Sequence, residues 1–373
     1  MTDAGEPAKK NSLEANLMPI EHVPDWEQRI RRQDAFWDRE IIDRPVVVIE
    51  VSRQDSGYPR PPGKQWASER ERWLDAEFVA ESALASAMNT EYYGDALPRV
   101  WPNLGPEVFS AFFGAEMEYG PSTSWSVPNL HDWSEADKLR FSEDNFYWQK
   151  LHEMTDALLE AGRGRFYTGI TDLHPGGDAI AAFRDPFNLN IDIIEHPAEV
   201  NALLRRVTDA YFKVYDFCCQ KITAAGQPVT TWLPIVSTKK WYVPSNDFSC
   251  MISKAMFDDV FLPGIAEECR HFEASIYHLD GPGALRHLDS LLDIKQLNAV
   301  QWVWGDGHGR ASDWMHVYER CQAAGKGIEV GLDPDELDVF IEKLRPEGLW
   351  IFVSGIRDGE HADAVIKKIT RWR

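Results

Sequence analysis

Basic residues are in short supply: 39 Lys and Arg face 60 Asp and Glu across 373 residues, a formal net charge of −21. A chain this acidic repels phosphate backbones and anionic lipid, which argues against nucleic-acid or membrane-surface binding. Long apolar runs are missing as well. No stretch reaches the roughly 18 residues of a membrane span, and the opening MTDAGEPAKKNSLEANLMP has no apolar core of the kind a signal peptide needs. The cysteines are only five (Cys218, Cys219, Cys250, Cys269, Cys321), with no C-x-x-C spacing. They read as reduced, buried thiols of a cytoplasmic protein. Neither a G-x-G-x-x-G nor a G-x-x-x-x-G-K-[ST] motif occurs, nor any fixed-period repeat. The usual nucleotide-binding sheets and solenoids are thereby excluded.

What is present is a large core: 44% of residues are hydrophobic, with 15 Trp, 11 Tyr and 18 Phe. The first 19 residues are polar and aperiodic, and a flexible tail is expected there. From 20 to 373 no linker interrupts the chain, so one domain is the simplest reading. Short β-branched runs at 44–51, 165–170, 229–236, 274–279, 298–303, 327–330 and 349–354 predict strands. Helical patterns fall at 24–42, 137–161, 197–225, 253–272, 310–324, 334–344 and 359–372, with Asp333 as cap and Pro334 as first residue of the sixth. An eighth strand is needed between 52 and 164, best placed near 95–119. Eight strand–helix units predict an α/β fold of the (β/α)8 TIM-barrel class, a single domain with an extended N-terminal segment. Chemistry in such a fold sits where strands end.

Polar residues gather at three of those ends. After 165–170 come Asp172, His174 and Asp178 on a Gly-rich loop. Asp178 reads equally well as a cap for the short helix that follows, whereas no cap requires Asp172 or His174. After 274–279, His278 and Asp280 are two apart on an extended segment and share a face. Such a pair can hold a metal or act as a general acid with its orienting partner, and Asp280 before Gly-Pro-Gly also suits an ordinary turn. After 298–303, Trp302 and Trp304 share a face and Asp306 follows among glycines. Glu329, inside the apolar strand 327–330, must be a ligand group or half of a buried ion pair. Trp101, Trp125, Trp232 and Trp241 could join Trp304 around a mouth that stacks on a flat or methylated ligand. Packing beneath loops is the plainer role for each of them taken singly.

Several segments resemble the uroporphyrinogen decarboxylase superfamily, which includes zinc-dependent methyltransferases moving methyl groups between corrinoid proteins and thiols. They are FWDREIIDRPVVVIE, YYGDALPRVWPNLG, SNDFSCMISKAMFDDVFLPGI, IYHLDGPGALRHLDSLLDI and VSGIRDGEHADAVIKKI, spread over 25–373. The resemblance implies a (β/α)8 barrel, a homodimer and, for Asp95, the position of the decarboxylases' catalytic aspartate. It also carries departures. The arginine-rich R-Q-A-G-R stretch of the decarboxylases is replaced by EVSRQDSGYPRPPG, which retains Arg53 and Arg60. Of the zinc ligands of the methyltransferases, the histidine is kept as His278, while Asp280 and Ser354 stand where cysteines are expected.

The sequence-based expectation is therefore an enzyme transferring a methyl or one-carbon group from a small substrate, with a corrinoid protein as partner. His278, Asp280, Asp172, His174 and Asp95 are the candidate catalytic residues. His278, Asp280 and Glu329 are the candidates to hold a divalent metal such as zinc. Trp101, Trp125, Trp232, Trp241, Trp302, Trp304, Asp306, Arg53 and Ser354 are the candidate substrate contacts. A metal-free decarboxylase and a non-catalytic small-molecule binder are the alternatives.

Overall fold

The computed structural model describes residues 17–53 and 57–372. Most of the expected tail, and Gln54, Asp55 and Ser56 in the stretch around Arg53, lie outside the described residues. Thirteen strands are present among the described residues. They are β1 (Val46–Ser52), β2 (Thr90–Gly94), β3 (Arg99–Val100), β4 (Glu116–Tyr119), β5 (Ser124–Val127), β6 (Tyr167–Thr168), β7 (Val229–Thr230), β8 (Val236–Ser237), β9 (Trp241–Tyr242), β10 (Ala274–Asp280), β11 (Ala299–Val303), β12 (Gly327–Leu332) and β13 (Leu349–Val353).

Seven of them form one mixed sheet in the order β2-β1-β13-β12-β11-β10-β9. The pairings from β9 to β1 are all parallel, and helices or helical turns connect consecutive strands from β9 to β13, as an α/β fold demands. At the far edge β2 runs antiparallel to β1. There Gly94 is obligatory: a Cβ on it would lie 2.3 Å from the Val47 carbonyl oxygen, and its φ is +66°. β3 pairs with β6 in parallel, and the Ile170 amide donates to the Thr230 carbonyl at 2.8 Å, which continues the hydrogen bonding to β7. The strand expected near 95–119 corresponds to β3. The antiparallel hairpin β4–β5 was not foreseen.

The helices follow the sequence pattern in part: the one expected over 137–161 is Phe146–Ala161, Glu69–Trp73, Ala76–Met88 and Pro186–Glu195 were not expected, and two further exceptions have local causes. Pro197–Ala224 buries Val200, Leu203, Val207, Ala210, Tyr211, Val214 and Cys218, one stripe at helical spacing. The helix expected over 253–272 is instead Lys254–Met256, a π turn Phe257–Phe261, and Leu262–His271. Pro263 has no amide to donate into the preceding turn, so the regular ladder cannot run through. The second exception is Leu337–Lys343, which starts after Glu336 and not at Pro334. Asp333 accepts a hydrogen bond from Ser354 Oγ (2.6 Å) instead of capping.

Four cysteines are buried as expected, but Cys250 is exposed, on the helical turn Asp247–Met251. No described helix is long and apolar enough to cross a membrane.

Candidate metal centre and active site

The site is assembled at the C-terminal end of β10. His278 and Asp280 face one side of that strand while Tyr277 and Leu279 are buried on the other. β9 runs parallel beside it, and the His278 amide donates to the Pro244 carbonyl at 3.0 Å. The chain leaving β9 therefore arrives at His278 and turns there, bringing in Ser245 and Asp247. From the opposite side comes the helix Gly176–Arg184. Its Gly177 admits the approach, because a Cβ would stand 2.6 Å from Asn246 Oδ1. Asp178 does act as a cap, but for a different segment: its carboxylate accepts the amides of Asp247 (3.1 Å) and Phe248 (2.8 Å).

Two groups of three share Asp247, namely His174, Asp178 and Asp247, and Asp247, His278 and Asp280, each with donor atoms within 4.8 Å of one another. Electrostatics separates them. His174 Nε2 lies 2.9 Å from Asp172 Oδ1 and its Nδ1 lies 3.6 Å from Asp178 Oδ2. Burial acts to lower its pKa, but the charge and hydrogen bonding of Asp172, helped by Asp178 and Asp247, raise it well above the ordinary value. The carboxylates around His174 thus favour its protonated form, which donates.

His278 has a different partner. Its Nδ1 is 2.6 Å from Gln301 Oε1, an acceptor only, so Nδ1 donates there and Nε2 is left to face the cluster. Nε2 lies 3.9 Å from Asp247 Oδ1, a buried oxygen with no hydrogen-bond partner among the described residues. Burial, with Asp178 adding to it, pushes the Asp247 carboxyl up to about 6, against the pull of His174 and His278. Asp247, His278 and Asp280 bring one imidazole nitrogen and two carboxylates within 4.8 Å of one another, donor types that a divalent cation takes. With no thiolate in the set, oxygen and imidazole would make a harder site than one built on cysteines.

Glu329 does not belong to this group. In the sheet register His278 pairs with Gln301 and Gln301 with Glu329, so a whole strand stands between the two. That separation is about 10 Å at ordinary strand spacing, beyond any shared ion. Burial raises the Glu329 carboxyl to about 7, against the opposing hydrogen bond from Gln301. Folding then favours the protonated form, so stability should fall as pH rises from about 4.5 to 7, by about 3 kcal/mol in all. Glu329→Gln is expected to abolish that slope, matching the wild type at pH 4 and exceeding it at pH 8 in urea unfolding.

A cavity of about 630 Å³ is walled by Trp232, Trp302, Trp304, Gln301, Glu329, Arg99 and Asp306; none of Asp247, His278 and Asp280 lines it, and Gln301 and Trp232 connect it to His278. The Trp232 ring stands edge-on to His278, centroids 5.3 Å apart. A second cavity, of about 330 Å³, touches His174, Asp178 and Asp247 from the other side.

Other expected contacts lie elsewhere. Trp241 is fully buried in β9, against Trp37, because the segment taken for a loop is a strand. Trp125 is 46% exposed on the β4–β5 hairpin, its Nε1 donating to Glu118. Trp101 lines neither cavity, and Ser354 is turned to Asp333. Arg53 is exposed near Glu91 (3.8 Å), outside the tryptophan-lined cavity. Asp95 is completely buried at the start of β1, at the opposite end of the strands from His278. There it takes ion pairs from Arg32 (3.1 Å) and Arg44, and the Val47 amide (3.0 Å). Asp247, Gln301 and Arg99 were missed. A strand reading of WYV before Pro244 would have exposed Asp247 as another carboxylate at a strand end.

No family model matches the chain, and no curated protein matches its sequence. Among solved structures, a methyltransferase from Methanosarcina mazei superposes with a TM-score of 0.56, covering 91% of this chain and 97% of that one at 12% identity. At that identity the likeness is one of fold: the two chains share an α/β architecture along nearly their whole length.

Proposed function

We propose that this protein is a methyltransferase that moves a methyl or other one-carbon group from a small substrate bound in the tryptophan-lined cavity. The carrying observation is that two walls of that cavity, Trp232 and Gln301, both contact His278, whose Nε2 lies 3.9 Å from Asp247 Oδ1. The structural likeness to a methyltransferase supports the reading through the fold. Closure of the strands into a (β/α)8 barrel, a separate corrinoid-bearing protein as methyl partner and a homodimeric assembly belong to the same reading, and the sequence resemblance is their support.

Asp247, His278 and Asp280 would hold a divalent metal, which supplies Lewis acidity toward a substrate oxygen or a thiol acceptor. Gln301 fixes the His278 tautomer. His174, backed by Asp172, keeps a proton beside the cluster for a leaving group. Trp232 and Trp304 exclude water and offer ring faces to the methyl-bearing part. Metal-free decarboxylation loses its residue, because Asp95 is engaged by Arg32 and Arg44.

Free methylcobalamin with a small thiol and added zinc tests the proposal. The methyl group would pass to sulfur as a cation equivalent, leaving cobalt(I) and releasing the thiol proton. The wild type is expected to speed the loss of methyl–cobalt absorbance, and His278→Ala to remove the acceleration. No acceleration with zinc, manganese or iron(II) would overturn methyl transfer in favour of simple binding.

A further inference from the structure

Buried arginines in this protein are otherwise well partnered. Arg32 is paired with Asp43 and Asp95, Arg44 with Asp95, and Arg184 with Asp192 and two backbone carbonyls. Arg99 departs from that pattern. Its side chain is 12% exposed, and its Nε is buried without a hydrogen-bond partner. The nearest carboxylate oxygen, on Glu50, is 3.9 Å from the guanidinium, beyond hydrogen-bond reach. Among the described residues no acceptor is hydrogen-bonded to its fork. Parallel pairing of Arg99 with Tyr167 fixes the backbone beneath it, so the side chain projects from a rigid base into the 630 Å³ cavity.

A guanidinium whose Nε is buried without an acceptor is costly unless something else supplies one. Its planar fork matches a carboxylate, which it takes with two parallel hydrogen bonds. The rest of the cavity wall narrows the choice. Trp232, Trp302, Trp304 and Phe352 offer flat apolar faces, while Glu50 and Asp306 make the surroundings acidic. One guanidinium among carboxylates offsets one negative charge, so a dianion or polyanion is disfavoured.

From these observations we infer that the cavity takes a small monocarboxylate, its carboxylate on Arg99 and a flat apolar body between the indoles. The inference deepens the methyl-transfer reading, resting on its assignment of this cavity to the substrate.

Calorimetry with benzoate and its neutral isostere benzamide, on the full chain without added metal, tests it. Benzoate is expected to bind at least about tenfold more tightly than benzamide. Arg99→Met should abolish the preference, and Glu50→Gln, which removes the competing carboxylate, should tighten benzoate. Equal binding of the two, binding of neither, or a preference that survives Arg99→Met overturns the inference. Where Arg99→Met fails to fold, Glu50→Gln decides: tightening supports the inference, and unchanged or weaker binding overturns it. This readout needs neither metal nor methyl acceptor, so its failure is distinct from failure of the methylcobalamin assay.

Discussion

Under the proposed assignment, replacing Asp247 by Asn is expected to lower zinc affinity by at least about 100-fold, and the proposed methyl transfer with it. Asp247 is the one residue common to both three-membered groups, and its Oδ1 is the oxygen that faces His278 Nε2. An amide in its place keeps the shape while removing the charge that draws a cation. His174→Gln should have the smaller effect on metal content, because the ring there is engaged by Asp172 and Asp178. Zinc titration of both variants checks the assignment. Equal losses would mean that the group containing His174 shares the ion, and full retention in Asp247→Asn would move the centre elsewhere.

Asp95→Ala is expected to destabilise the fold by about 3–5 kcal/mol, the usual result of breaking a buried ion pair by removing one partner. The carboxylate is wholly buried, and the change would strand Arg44, part of Arg32 and the Val47 amide at once. The loss should appear in urea unfolding. Metal binding by the folded fraction should be unaltered, because Asp95 and His278 lie at opposite ends of the strands. A variant of normal stability with no activity would return Asp95 to the chemistry.

The contrast between Asp95 and Asp247 shows where the sequence was legible. Long β-branched runs such as RPVVVIEV and LWIFVS announce strands buried on both faces, and the period-2 rule brought His278 and Asp280 together correctly. Asp95 misled because a carboxylate at either end of a strand looks the same in one dimension. Which end it occupies depends on Arg32 and Arg44, 63 and 51 residues away. Asp247 was missed because β9 has only two residues, too few for any periodicity to register. Its burial comes from β10, a long-range pairing. The tryptophans divide for a related reason. Trp302 and Trp304 belong to a strand and the residue just beyond it, and both reach the cavity; Trp125 and Trp241 took their expected place from proximity in sequence alone.

The exposure of Cys250 has a practical consequence. The other four thiols are buried, so a maleimide fluorophore would be directed to one position on the unmodified chain. That position is three residues from Asp247, on the same helical turn, and its backbone carbonyl would lie 3.1 Å from a Cβ built on Gly283, just past Asp280. The native sequence thus provides an optical reporter at the edge of the centre, against which zinc and benzoate can be titrated separately.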